Sequence, residues 1–519
     1  MAKPLIASSI AAPAFFGLNT QESGVTLQDG FALKADNSVI DKQGRLSARK
    51  GWETISESLD GTAGGNQDIN LIGMTNFIDI TGLATQINWS KTAFYKGTKD
   101  LTTITPVTTD TLADGNWQSA TLNDHQYFYQ RGYIPLIYTN EGGSEAFESY
   151  AAHTHASEGY PSANTVLAAY GRLWAADTTA NKTTVYFTDV LDGHKFEGGT
   201  AGTLDISSVL TQGMDEIVAL GAHNGFLIIF CKNNIIVYGD NDNFQGAINT
   251  TALTLVEVIE GVGCIARDSV QNTGGDILFL SNAGVRSLSR TIQEKSQPMR
   301  DVSKNVRDDV ILALQLENLN NVKSVYAPSD SFYLLTLPAT VQTFCFDTRT
   351  QLEDGSFRVT LWNSSPPKGY LTIGTKLFYA QVDGVATYSS NLDNGLPYQM
   401  QYASNYFDLG MTDVNKIVKR VSATTVGITG QTFALQVGYD YEPAVFSQTF
   451  ILDASAKKSE FDVSEFNLAS YAGGVLVNDI AAPAQGSGNI LQIGFTAQIN
   501  GNPVSLQRLT IYAKQGKVL

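Results

Sequence analysis

Charge is what this sequence has least of. Only 16% of its 519 residues are Asp, Glu, Lys or Arg, against about 25% in an average globular chain. The shortage falls on the cations: 34 Lys and Arg face 50 Asp and Glu, for a formal net charge of −16. Tight nucleic-acid binding draws largely on Lys and Arg neutralising phosphates, so that class is disfavoured. Low charge together with 43% hydrophobic residues also excludes disorder, which needs the opposite balance. Proline is sparse at 14 residues, so few rigid linkers are expected. The longest apolar run, Phe226 to Cys231, is far below the ~20 residues of a membrane-spanning helix, and no membrane insertion is expected. The opening MAKPLIASSIAAPAFF has one Lys before an apolar stretch, but Pro4 interrupts a thin charged region, which reads against a secretory signal.

Cysteine is scarce as well. Cys231, Cys264 and Cys345 are odd in number, lack C-x-x-C spacing and sit beside aliphatic or aromatic residues. They read as buried structural thiols of a chain made in a reducing cytoplasm. The P-loop, H-E-x-x-H and G-x-S-x-G patterns are absent. Gly261 to Ala266 satisfies G-x-G-x-x-A, but without a βαβ context its glycines read as turn glycines. Of five histidines, only His153 and His155 have ligand-like spacing. They lie in a polar loop with no third ligand nearby in sequence, so surface histidines are expected. Asp240 and Asp242 suggest calcium, but the sixth-position glycine and twelfth-position Glu of an EF-hand are missing. No catalytic residue, cofactor or metal ligand is assigned.

What is present is strand. Runs rich in Val, Ile, Tyr, Phe and Thr recur between Gly, Asn and Asp clusters, in an all-β pattern. One stretch, residues 304–320, reads as a helix, with Val306, Val310, Ile311 and Leu314 on one face. Ser303 would be its N-cap, and Asp308 and Asp309 ordinary charges in its first turns. An aromatic strand, a polar turn and a second strand recur with landmarks at Phe94, Phe128, Trp174, Ile228, Phe279, Leu334 and Phe378. Their intervals run from 34 to 55 residues, close to the ~40–50 of four-stranded propeller blades. The spacing predicts a β-propeller of six or seven blades over 61–400, preceded by an N-terminal strand pair and docking segment in 1–60. Residues 401–519 lose the blade spacing but keep alternation, and read as a β-sandwich-like domain.

Phe15 to Glu53 resembles the N-terminal signature of structural proteins from short-tailed bacteriophages: the tail nozzle family, also called tail tubular protein B or packaged-DNA stabilisation protein. Gly171 to Gly199, Met214 to Gly239 and Gly261 to Ser296 are similar to the same group, and 416–443 more weakly. The resemblance implies a homohexameric nozzle below the portal and adaptor rings, partnered by tail fibres, in a virion assembled in the host bacterial cytoplasm. Such a nozzle closes the DNA channel until infection and then conducts double-stranded DNA without specific binding. A receptor-binding tail protein and a propeller polysaccharide hydrolase are the competing classes; the hydrolase needs a carboxylate pair in its channel. Phe15 and Phe16, in a small and polar context, are expected to anchor a neighbouring subunit or the adaptor. Removing residues 1–18 is then expected to impair assembly but leave the monomer folded. The acidic loop with Asp240 and Asp242 is the candidate lining of the bore, between consecutive blades.

Overall fold

A computed structural model describes residues 5–519 apart from 60–61, 64–68, 142, 154–158, 211–212, 214, 241–248, 251, 290–301, 365, 412, 429, 453–475 and 519. Residues 73–388 wind into a β-propeller. Its first blade is Gly73–Ile78, Ala84–Trp89, Phe94–Lys96 and Asp100–Ile104, each strand antiparallel to the next. The second to fourth blades repeat this meander over 118–149, 163–205 and 217–260. A three-stranded sheet, Gln271–Asn272, Ile277–Ser281 and Gly284–Ser287, follows. The fifth blade runs from Lys323–Ala327 to Phe357–Trp362. The sixth has three strands of its own, Gly369–Ile373, Lys376–Gln381 and Gly384–Tyr388, and takes its fourth from Trp52–Thr54. Six four-stranded blades and one three-stranded sheet therefore answer the seven hairpins seen in the sequence.

All seven landmarks are at most 8% exposed. Six lie on second strands, but Phe94 lies on the third strand of its blade, which is why it stands only 34 residues from Phe128. Neighbouring blades share separate hydrophobic clusters. Between the first two, Phe94 meets Phe128 and Phe147 at ring distances of 5.2 and 5.1 Å, both near edge-on, the arrangement the aromatic quadrupole favours.

The three-stranded sheet would leave a bare edge at Gly284–Ser287. The helix Arg307–Gln315 covers it, with Val306, Val310 and Ala313 packed against Leu278, Leu280 and Val285, one of the ways an exposed edge is blunted. Ser303 does not cap this helix. Its hydroxyl accepts the edge N–H of Val285 at 3.0 Å, so the sheet takes the group that the helix would have used. Lys304–Val306 accordingly begins as a 3-10 turn.

Residues 1–60 do not form a unit of their own. Phe31–Asp36 pairs with Tyr398–Ser404 in a ten-stranded sheet that runs from the fifth blade into the C-terminal region. At Asn37 the backbone turns left-handed, φ +49°, and Ser38–Ile40 enters a second sheet with Leu46–Ala48, Val504–Val518 and Val414–Gly427. Leu5–Ala11 extends that second sheet along the C-terminal strand. The two sheets enclose one core, including Ile10, Phe15, Leu435, Phe495 and Ile511. The turn after Leu491–Ile499 does not make a hairpin, because Val504–Val518 crosses to the opposite sheet.

Two buried ionic networks fix the closure. Arg49, 3% exposed, grips Asp393 with both terminal nitrogens at 2.9 and 2.6 Å and reaches Asn37 through Nε at 3.2 Å. Its guanidinium also lies 4.2 Å from the ring centre of Tyr398. At the propeller axis, Arg267, 7% exposed, bonds Asn116 Oδ1 at 2.8 Å and the Asn164 carbonyl at 2.7 Å. It is paired with Asp268 through Nε and Nη2 at 2.7 and 3.0 Å, and Lys323 closes on the same carboxylate. Burial works to raise the Asp268 carboxyl, but Arg267 and Lys323 outweigh it and hold the group well below the usual carboxylate range.

Three outcomes are expected. Arg49→Met leaves Asp393 buried without its cation and should cost about 3–5 kcal/mol in urea denaturation, with Arg49→Lys recovering only part because it lacks the planar fork. Asp268→Asn should cost about 3 kcal/mol near neutral pH. A depressed carboxylate stabilises above its unfolded value and loses that contribution as pH falls towards the folded one. The gap between wild type and Asp268→Asn should therefore be constant at neutral pH and narrow once pH drops below 3.8. Deleting residues 1–18, contrary to the expectation from sequence, should expose the sandwich core, because Ile10, Phe15 and Leu18 are at most 5% exposed; the check is solubility and near-ultraviolet dichroism.

Candidate functional site

Five of the inner propeller strands begin on one face, and residues close to their first positions ring a cavity of about 560 Å³. Asn70, Asn116, Asn164, Asn321 and Lys368 come from these starts, and Lys91, Arg131 and Pro338 from the turns beside them. Twelve of the fourteen described lining residues are polar, and the cations Lys91, Arg131, Lys323 and Lys368 stand against one carboxylate, Asp114. A local charge of +3 on a chain of net −16 concentrates anions at this mouth. Buried Arg267 bonds two of the lining residues, Asn116 and Asn164.

The cations differ in their partners. Arg131 is paired with Asp177, a side chain 1% exposed that also takes Lys182 at 2.8 Å and Asn164 Nδ2 at 2.9 Å. Lys323 is committed to Asp268, and Lys368 donates to Asn70 Oδ1. Lys91 is exposed and makes no ion pair among the described residues. Asn318 accepts the Asn320 N–H at 3.1 Å and so shapes the short turn Leu319–Asn321, leaving three exposed Asn side chains on one rim. Nothing in motif spacing marked this mouth. The detectable signal is an Asn recurring within a few residues of the start of successive inner strands, visible once the blade boundaries are known.

Three of the five histidines come together. His153 stacks on His194 with ring centres 4.2 Å apart and planes 2° apart, and His194 stands edge-on to His125 at 4.7 Å. Glu148 lies 3.9 Å from His153 and Asp192 3.6 Å from His194. His125 and His194 could not be linked to His153 in the sequence because they come from different blades; His155 lies outside the described residues. Ring-nitrogen lone pairs lie in the ring plane, so two parallel stacked rings cannot direct theirs at one ion. Among the described residues no three His, Cys, Asp or Glu side chains are placed to hold a metal.

The residues proposed from sequence are dispersed. Phe15 is fully buried in its own chain, edge-on to Tyr402 at 5.8 Å, so it cannot anchor a neighbour: the sandwich core has claimed the ring. Phe16 is half-buried beside Phe31 at 5.4 Å. Asp240 ends the third strand of the fourth blade and accepts the Asn249 N–H at 2.7 Å, closing the base of its loop. That loop joins the third and fourth strands of a single blade rather than consecutive blades, and Asp242 lies outside the described residues. All three cysteines are free and buried; burial pushes the Cys264 thiol up to about 11, which leaves it a poor nucleophile at neutral pH. Gly261 has φ +76°, and a Cβ on Gly263 would meet Lys232 C at 2.3 Å, so both glycines of the G-x-G pattern serve the backbone. Among the described residues no helix is long and apolar enough to cross a membrane.

No protein-family model and no curated protein matches the chain. Among solved structures, BamB from Moraxella catarrhalis aligns at 11% identity and a TM-score of 0.37, over 74% of this chain and 97% of that one. PorZ, a surface component of the type-IX secretion system of Porphyromonas gingivalis, aligns at 10% identity and 0.33, over 68% of this chain and 42% of that one. The propeller itself rests on the strand order and register described above.

Proposed function

We propose that this chain is a non-enzymatic structural protein, the tail nozzle subunit of a short-tailed bacteriophage, forming a homohexamer that closes and then conducts the genome channel. The observation that carries the reading is the resemblance of Phe15 to Glu53 to the nozzle signature. In this fold that stretch supplies strands to both sandwich sheets and the closing strand of the propeller, so it is bound to the architecture as a whole. The charge supports the same reading. Six copies, each at −16, carry −96, and surfaces of that sign repel DNA rather than retain it. The basic mouth would grip phosphates, so in a nozzle it faces away from the bore. A hydrolase is less well served, because Asp114 is the one carboxylate among the described lining residues and glycoside hydrolysis needs a facing pair.

Electron microscopy of the protein, alone and with its adaptor ring, tests the reading. A six-fold ring with an axial bore is expected. A protein that stays monomeric in both conditions, or a ring of another symmetry, overturns it.

A further inference from the structure

We propose that the propeller mouth is a binding site for a small hydroxylated anion of the acidic-sugar class. This goes beyond a role in the nozzle and is independent of it. The site is concave, and its volume of about 560 Å³ lies within the ~300–1,000 Å³ of small-molecule pockets. Arg267, 7% exposed, binds both Asn116 and Asn164 of the lining and fixes where their amides stand. The sign of the site selects anions, with four cations against one carboxylate among the described lining residues. Lys91 is the cation best placed to receive a new carboxylate, being exposed and without an ion pair among the described residues.

The second half of the recognition is the amides. Each Asn side chain offers two donors and an acceptor, which suits sugar hydroxyls that both donate and accept. Asn320 and Asn321 are exposed on the rim, beside the start of the fifth blade, while Lys91 comes from the first. No aromatic ring is among the described lining residues, so a neutral sugar would find no stacking platform here. Affinity must come from charge joined to hydrogen bonds, and therefore weakens with salt.

The experiment is titration calorimetry of the intact protein with glucuronate, glucose and inorganic phosphate, at low and high salt. Glucuronate should bind at low salt, glucose should not, and high salt should weaken the glucuronate interaction. Lys91→Ala, at an exposed position, should weaken glucuronate about tenfold, the loss of one charge contact. The double variant Asn320→Ala, Asn321→Ala should weaken glucuronate but leave phosphate unchanged. Absence of glucuronate binding, indifference to Lys91→Ala, or phosphate binding as tight as glucuronate with both unaffected by the amide variants would each overturn the proposal.

Discussion

The fan of blades is held at its centre by one guanidinium. Inner propeller strands diverge from an axis that side chains must fill or water will occupy. Here the filling is polar: Arg267 binds the carbonyl and side-chain oxygens of both Asn116 and Asn164, and it shares Asp268 with Lys323. The second and third blades are thereby tied to the fifth. The backbone of the same turn is held from the fifth blade, with Ser324 Oγ donating to the Asp268 carbonyl at 2.7 Å and Tyr333 Oη to that of Ser269 at 2.8 Å. Buried ion pairs gain little over apolar packing, but they tolerate few alternative arrangements. Arginine suits this position because its five donors form a fixed fork and its charge survives burial.

Around that centre, apolar packing does the rest, in parcels. Most neighbouring blades share a cluster of their own, and the aromatic ones, such as Phe94 with Phe128 and Phe147, are enclosed almost completely. The sandwich is different in kind. Its core is built from segments hundreds of residues apart, Ile10 and Phe15 beside Leu435 and Ile511, and it shares a continuous sheet with the fifth blade through Gly17–Leu18 and Phe31–Asp36. The propeller and the sandwich are therefore coupled through backbone hydrogen bonds as well as side chains.

Local patterns in the sequence were enough to find the hairpins, because the second and third strands of a blade are adjacent in the chain and carry its most apolar residues. Trp174, Phe279 and Leu334 each marked a buried second strand. Long-range pairings left no such trace. Trp52–Thr54 is three residues long, half-buried to exposed, and nothing local tells it to close a blade against Ala386–Tyr388. Phe15 and Phe16 looked unsupported because the rings that receive them, Tyr402 and Phe31, lie in other strands. The mouth was illegible for the same reason: Lys91 and Asn320 are unremarkable surface residues until the ring brings them to one rim. The histidine group shows it again, with His125, His153 and His194 drawn together from separate turns.

The pairing of Leu5–Ala11 with Arg508–Lys514 sets a condition on how the molecule comes into being. Leu5–Ala11 leaves the ribosome long before Arg508–Lys514, the segment it pairs with. At roughly 5–20 residues per second, the interval is on the order of half a minute to two minutes. Through that time the apolar side chains of Ile10, Phe15 and Leu18 have no native cover, while completed blades accumulate behind them. The propeller's own seam waits almost as long, because Trp52 must hold until Tyr388 arrives. Blades can collapse as they appear, but the ring cannot shut before Tyr388 is made, nor the sandwich before Arg508–Lys514. A chain that stops short of Arg508–Lys514 would have its blades formed but Leu5–Ala11 unpaired, a form that chaperones and proteases recognise by exposed edge and exposed core.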